Sequence, residues 1–238
     1  ELALVPYITA GYPDPARFIA TLRAIAEVGS VIEVGVPFSD PMADGVTIQR
    51  ASQAAIANGV SLRWILETLA TAGPLPVPIV LMSYLNPLLN HGYERLASAA
   101  LAAGVSGFIV PDLPLEESTE LDQALAGEGL ALIQLVTPAT PPERLARLCA
   151  ASRGFIYAVT VTGITGGNQG LPAAVSSYLD RVRAIAALPV CAGFGVRGPE
   201  QIRQLSGHAD GVVVGSALVE ELEAGRDPAA FLRTLRSG

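Results

Sequence analysis

The sequence is poor in the residues that build metal sites and disulfide frameworks: of 238 residues, two are cysteine and two are histidine. Cys149, Cys191, His91 and His208 show no metal-ligand spacing, so no metal centre is expected. Two cysteines in apolar surroundings suit a reducing, cytoplasmic compartment. Charge is scarce too. Charged residues make up 16 % of the chain, the formal net charge is −7, and the 15 basic residues form no local run. Nucleic acid and anionic membrane surfaces are therefore not expected as partners. No apolar run reaches the length of a membrane span, and no charged-then-apolar leader opens the chain. Glu1 leads straight into a strand-like segment, so an initial element is expected to be missing from the sequence as given.

What the sequence has is apolar bulk. Half of it is hydrophobic, enough for one large core. Segments rich in Val, Ile, Leu and Ala alternate with amphipathic helical segments throughout. Strands are expected at Leu4–Thr9, Val31–Gly35, Ile79–Ser83, Gly107–Val110, Ala131–Val136, Phe155–Val159, Val190–Ala192 and Gly211–Val214. Between them, helices are expected over Pro15–Val28, Val46–Asn58, Leu62–Thr71, Tyr93–Ala103, Glu116–Gly127, Pro142–Ala151 and Pro172–Ala187. A short helix from Pro199 and a closing helix to about Arg236 complete the pattern. Asp14 before Pro15 and Ser61 before Leu62 are N-cap signals. Eight strand–helix units without a linker or composition break argue for a single domain, residues 1–238, folded as a closed (β/α)8 barrel. A doubly wound open sheet is the alternative. It seldom needs eight regular units, and the first βα turn, Gly11-Tyr12-Pro13, lacks the dinucleotide fingerprint.

One stretch, Glu33 to Gly45, organises the rest. A carboxylate, Glu33, interrupts the apolar run Val31, Ile32, Val34, Val36, and burying it costs several kcal/mol unless it is paired, solvated or protonated. Pro37 and Pro41 turn the chain into a loop ending at a second acid, Asp44. A carboxylate in a strand and another on the following loop form a candidate acid/base pair; a structural ion pair and a helix cap are the plainer reading.

At the other end of the chain, glycine-bearing turns follow the last three strands: Gly163-Ile164-Thr165-Gly166-Gly167, Gly193-Phe194-Gly195 and Gly215-Ser216. Loops in these positions of a barrel commonly hold a phosphate through backbone N–H groups and a helix N-terminus. Only Arg197 lies close by, so backbone dipoles are expected to do most of the binding. A phosphorylated small molecule would then reach across the barrel mouth to Glu33 and Asp44.

The combination resembles the α subunit of tryptophan synthase. The residues that carry the resemblance begin with Val5-Pro6-Tyr7-Ile8-Thr9-Ala10-Gly11 and the whole of Glu33–Gly45. Ile48-Gln49-Arg50-Ala51, Val110-Pro111-Asp112-Leu113-Pro114 and Val161-Thr162-Gly163-Ile164-Thr165-Gly166 continue it. Gly193-Phe194-Gly195-Val196 and Val214-Gly215-Ser216-Ala217 close the set. The resemblance implies a lyase that splits indole-3-glycerol phosphate by a retro-aldol reaction into indole and glyceraldehyde 3-phosphate. By position Glu33 resembles the general acid/base, and Asp44 the acid that binds the indole N–H and stabilises positive charge on the ring. Tyr157 matches a tyrosine beside the glutamate, and Thr165 a loop threonine that orders Asp44. Tyr7, Met82 and Tyr84 would line the indole pocket, or simply be barrel core. Asp112 resembles a polar residue near the pocket, though capping a turn explains it as well. Gly166, Gly195, Gly215 and Ser216 would hold the phosphate.

The resemblance also implies a partner. The family's α subunit docks on a pyridoxal-phosphate β subunit in an α2β2 assembly and delivers indole through a tunnel. The loop Pro37–Asp44, with Pro37, Asp40 and Pro41, would serve docking as well as catalysis. The cofactor would belong to the partner, since nothing in this chain reads as a pyridoxal-phosphate site. Three departures stand out: the helix that usually precedes the first strand is not in the sequence, the turn Gly29-Ser30 is one residue short, and Gly167-Asn168-Gln169-Gly170 lacks the arginine often found there. The rivals are a stand-alone lyase releasing free indole, another phosphate-binding barrel such as a sugar-phosphate isomerase or epimerase, and a non-catalytic activating subunit.

Overall fold

In the computed structural model, residues 2–160, 173–193 and 195–236 are described. Eight parallel strands close into a barrel in sequence order, β1 (Ala3–Thr9) pairing with β8 (Gly211–Val214) to seal it. The others are β2 (Ile32–Gly35), β3 (Ile79–Met82), β4 (Val105–Ile109), β5 (Ala131–Val136), β6 (Ile156–Val159) and β7 (Val190–Gly193). The helices are α1 (Phe18–Ala26), α2 (Val46–Ala57), α3 (Leu62–Ala72), α4 (Leu85–His91), α5 (Tyr93–Ala102), α6 (Thr119–Gly127), α7 (Pro142–Ala151), α8 (Ala173–Ile185), α9 (Pro199–Leu205), α10 (Ser216–Glu223) and α11 (Pro228–Arg236). No helix among the described residues is long and apolar enough to cross a membrane.

Strand alternation builds two cores. Residues pointing away from the axis, such as Leu4, Ile8, Ile32, Val34 and Leu81, pack against Phe18, Leu22, Ile65 and Leu96 of the surrounding helices. Each fully buried side chain of this size contributes roughly 1.5–3 kcal/mol relative to exposure. Residues pointing inward form a second cluster with Val5, Tyr7, Val80, Ile109, Ile133, Cys191 and Val213 at its centre. Glu33 lies between Ile32 and Val34, so the same alternation sends its side chain to the barrel axis. In register it stands beside Tyr7 of β1 and Val80 of β3.

Elements read from the sequence are altered in three places. The segment from Pro15 opens as a 3-10 turn, Pro15–Arg17, before α1 begins; Asp14 caps it by accepting from the Ala16 N–H at 2.9 Å. A second 3-10 turn, Leu115–Glu117, takes the place of the expected first turn of α6. The closing helix is two helices. Gly225 adopts a φ of +69°, which a side chain disfavours, and Asp227 accepts from Ala229 and Ala230 N–H to start α11 afresh at Pro228. The short helix α4 leaves no helical signature in the sequence. Its proline, Pro87, falls in the first turn, where a missing N–H is tolerated, and seven residues are too few to show a helical period.

Candidate active site

Glu33 is fully buried in the barrel axis, and neither carboxyl oxygen has a hydrogen-bond partner among the described residues. Burial, and secondarily the charge of Asp44, push its pKa up to about 8. It is therefore held protonated at neutral pH, the state in which a carboxyl donates a proton.

Asp44 comes from the loop that β2 feeds. Two anchors hold this loop, and Tyr84 provides both. Its ring stacks on Phe38 with centroids 5.0 Å apart, and its hydroxyl accepts the Ala43 N–H at 2.9 Å. The Gln49 side-chain amide adds a third by donating to the Asp44 carbonyl at 2.9 Å. Partial burial raises the Asp44 pKa and the neighbouring Tyr84 hydroxyl lowers it. The two acids thus have unlike surroundings, one in the buried interior without a donor among the described residues, the other at the rim beside a phenol, which is how paired carboxyls come to divide acid and base roles.

Tyr7 is buried, and its hydroxyl lies 3.3 Å from the Thr9 hydroxyl. It reaches over Gly35, where an added Cβ would meet the phenol oxygen at 2.1 Å. Burial first, then the charges of Asp44 and Glu33, raise the phenol's pKa, so it stays neutral. Tyr157 takes the corresponding place on β6. An added Cβ at Gly193 would come within 2.6 Å of its ring, and burial followed by the Glu33 charge raises its pKa as well. Tyr7, Met82 and Tyr157 all belong to or pack on the inner cluster. Cys191 also faces this interior, and burial pushes its thiol up to about 12, so it is an inert wall residue.

Asp112 stands beside Tyr84, near enough that, after burial, its charge helps raise that phenol's pKa. Its carboxylate accepts the Leu85 N–H at 2.8 Å across 27 positions of sequence, fixing the start of α4 next to Tyr84. Asp40 and Met42 stand exposed on the outer side of the loop, Pro37 is buried at its root, and Pro41 is half-buried. On the far side of β1 from β2, Gly195 and Gly215 follow β7 and β8, and Ser216 is the first residue of α10. Gly195 has a φ of +65° and open space where a side chain would lie. Arg197 is committed elsewhere, its guanidinium paired with Glu220 at 2.7 and 3.0 Å. Thr165 and Gly166 lie outside the described residues.

Phe38, Thr9 and Gln49 join the site only through contacts made on folding. Thr9 was findable, because it lies two positions from Tyr7 and so shares its face of β1. Another signal is an absence: all 15 basic residues are arginine, so no lysine side chain exists here to form a Schiff base with a carbonyl substrate. Among the described residues no group of three His, Cys, Asp or Glu is placed to hold a metal ion.

Comparison with known proteins settles the family. The family model described as tryptophan synthase alpha chain matches residues 1–236. The chain belongs to the tryptophan synthase alpha chain family. A relative from Desulfovibrio desulfuricans, a tryptophan synthase alpha chain, is 48 % identical over 234 residues, covering 97 % of this chain and 92 % of its own. A tryptophan synthase α2β2 complex from Pyrococcus furiosus contains a chain of similar structure, with TM-score 0.92, 37 % identity, and coverage of 99 % and 98 %. Tryptophan synthase from M. tuberculosis gives TM-score 0.87 at 40 % identity, with coverage of 98 % and 91 %. The activity is accordingly the lyase reaction of tryptophan synthase alpha chains, cleavage of indole-3-glycerol phosphate, and the role is in tryptophan biosynthesis. Alpha chains of the family do not themselves carry pyridoxal phosphate.

Proposed function

We propose that Glu33 and Asp44 carry out the cleavage, with Glu33 as general acid/base. The observation that supports this best is the fully buried Glu33 carboxyl, unpartnered among the described residues and protonated at neutral pH. Breaking a carbon–carbon bond to an aromatic ring requires that ring carbon to be protonated first. Glu33 gives the proton to the ring carbon and takes one from the adjacent side-chain hydroxyl. The C–C bond then breaks, the hydroxyl carbon becomes the aldehyde of glyceraldehyde 3-phosphate, and the electron pair returns to the ring, leaving indole. Asp44 accepts the indole N–H and offsets the positive charge that builds on the protonated ring. Tyr7, Met82, Tyr84 and Tyr157 form the walls that keep the indole ring flat and dry, and Thr165 helps order Asp44.

The substrate phosphate is assigned to the backbone N–H groups of Gly166, Gly195 and Gly215 and to the hydroxyl of Ser216. The dipole of α10 favours an anion at that end, and the pairing of Arg197 with Glu220 leaves the binding to backbone groups. The loop carrying Pro37, Asp40 and Pro41 docks the β subunit of an α2β2 assembly. Pyridoxal phosphate belongs to that partner, and a cytoplasmic location accords with two free cysteines.

The test is indole release from indole-3-glycerol phosphate, by the chain alone and with a β subunit. Slow release that accelerates on mixing is the expected result. Fast release unchanged by the partner would identify a stand-alone lyase. No release from folded protein, with activation of the β subunit intact, would identify a non-catalytic partner.

A further inference from the structure

Beside the barrel mouth, α3, α4 and α5 line an open pocket of about 570 Å³ together with Val36 and Pro37, which follow β2. Three cationic or ionisable basic side chains line it, one from each helix: Arg63, His91 and Arg95. Asn86 and Asn90 of α4 add carboxamides, and Ser61 opens α3 within the wall, so the positive end of an eleven-residue helix contributes to the same space. No acidic side chain lines the pocket; Glu67 on α3 and Glu94 on α5 are not part of its walls. Neither guanidinium meets a carboxylate within ion-pairing distance among the described residues. By contrast Arg144, Arg183, Arg197 and Arg226 all do. In a chain of net charge −7, two arginines and a histidine converge on one concave space that holds no acidic side chain.

We propose that this pocket binds a phosphate-class oxyanion, inorganic phosphate or a phosphate monoester, at a site separate from the one at the ends of β7 and β8. Guanidinium forks match the paired oxygens of a tetrahedral dianion, and the asparagine amides supply neutral donors. His91 reports on occupancy. Partial burial, then the charges of Arg95 and Arg63, hold its pKa below the ordinary value, and a dianion seated among them reverses the electrostatic part of that effect.

The experiment follows the two histidine C2–H resonances of the full chain by proton NMR. Inorganic phosphate, glycerol phosphate or acetate is added at constant ionic strength. His208, paired with Asp180 at 2.7 Å on another face, is the internal control. Expected are a saturable movement of the His91 signal with either phosphate and a rise in its titration midpoint of roughly half a unit or more, while His208 stays still. Arg63→Gln and Arg95→Gln, made singly and together, weaken the response at least tenfold while the melting temperature is kept, because both side chains are exposed. Three results would overturn the proposal: a His91 signal unmoved by phosphate, an equal response to acetate, or an undiminished response in the double variant, which would trace the effect to phosphate bound elsewhere.

Discussion

The Tyr84 hydroxyl accepts the Ala43 N–H at 2.9 Å, and through this bond a residue just after β3 holds the end of the loop that carries Asp44. The same ring stacks on Phe38, so one side chain fixes both ends of the loop. Tyr84→Phe keeps the stack and removes the acceptor. The Ala43 N–H loses its partner, at a cost of about 1 kcal/mol or somewhat more, read as a lowered midpoint in urea. Asp44 loses the group that lowers its pKa. The acidic limb of the kcat/KM profile therefore moves to higher pH, and the rate falls roughly tenfold or more.

Glu33→Gln tests the acid directly. Cleavage is expected to fall by a factor of about a thousand or more, since burial holds the other ionisable groups facing the axis, Tyr7, Tyr157 and Cys191, neutral. Stability should change with a definite pH signature. The carboxyl binds its proton more tightly in the native protein, with a pKa of about 8 against an ordinary 4.5. Its contribution is thus fully present below about pH 4.5 and is lost as pH rises through about 8. Glutamine does not titrate, so the variant gains on wild type by a few kcal/mol between pH 5 and pH 9. Denaturant midpoints at the two pH values give this difference, and a difference independent of pH would contradict the raised pKa.

Gly35→Ala places a methyl group 2.1 Å from the Tyr7 oxygen and 2.6 Å from its ring carbon Cζ. The ring must shift or the barrel must widen, at a cost of roughly 1–3 kcal/mol or more for overpacking. The penalty should shrink strongly in a Tyr7→Leu background. A double-mutant cycle on thermal midpoints measures the coupling, and additive effects would mean that the tyrosine is not what the alanine meets.

Ser216→Ala removes a hydroxyl from the proposed phosphate end without touching either acid. KM for indole-3-glycerol phosphate is expected to rise about threefold to tenfold with kcat nearly unchanged, the pattern of uniform binding lost. Ser216→Asp brings a negative charge to the start of α10 and should raise KM far more. Similar KM values in both variants would remove the phosphate from this turn.

The sequence determined the barrel and its two acids. Apolar β-branched runs separated by amphipathic segments are a local property of the chain, and β5 and α7 lie within the bounds that periodicity alone sets. Glu33 was conspicuous because a charge inside such a run is costly wherever the run is buried. Tertiary structure decided everything that depends on meeting across distant positions. The short register of β1, β2 and β3 put Tyr7, Glu33 and Val80 at one level, which no spacing in the sequence reveals. For Asp112 the sequence leaves a pocket role and a cap both open, and folding gives it the cap, on the Leu85 N–H 27 positions away. Helix α4 was invisible because a single turn or two around a proline owes its existence to that cap and to packing, and hardly to propensity. The basic pocket has the same origin. His91 and Arg95 are near neighbours in sequence, but Arg63 is separated from them by β3, and only the stacking of α3 against α4 and α5 brings the three charges together.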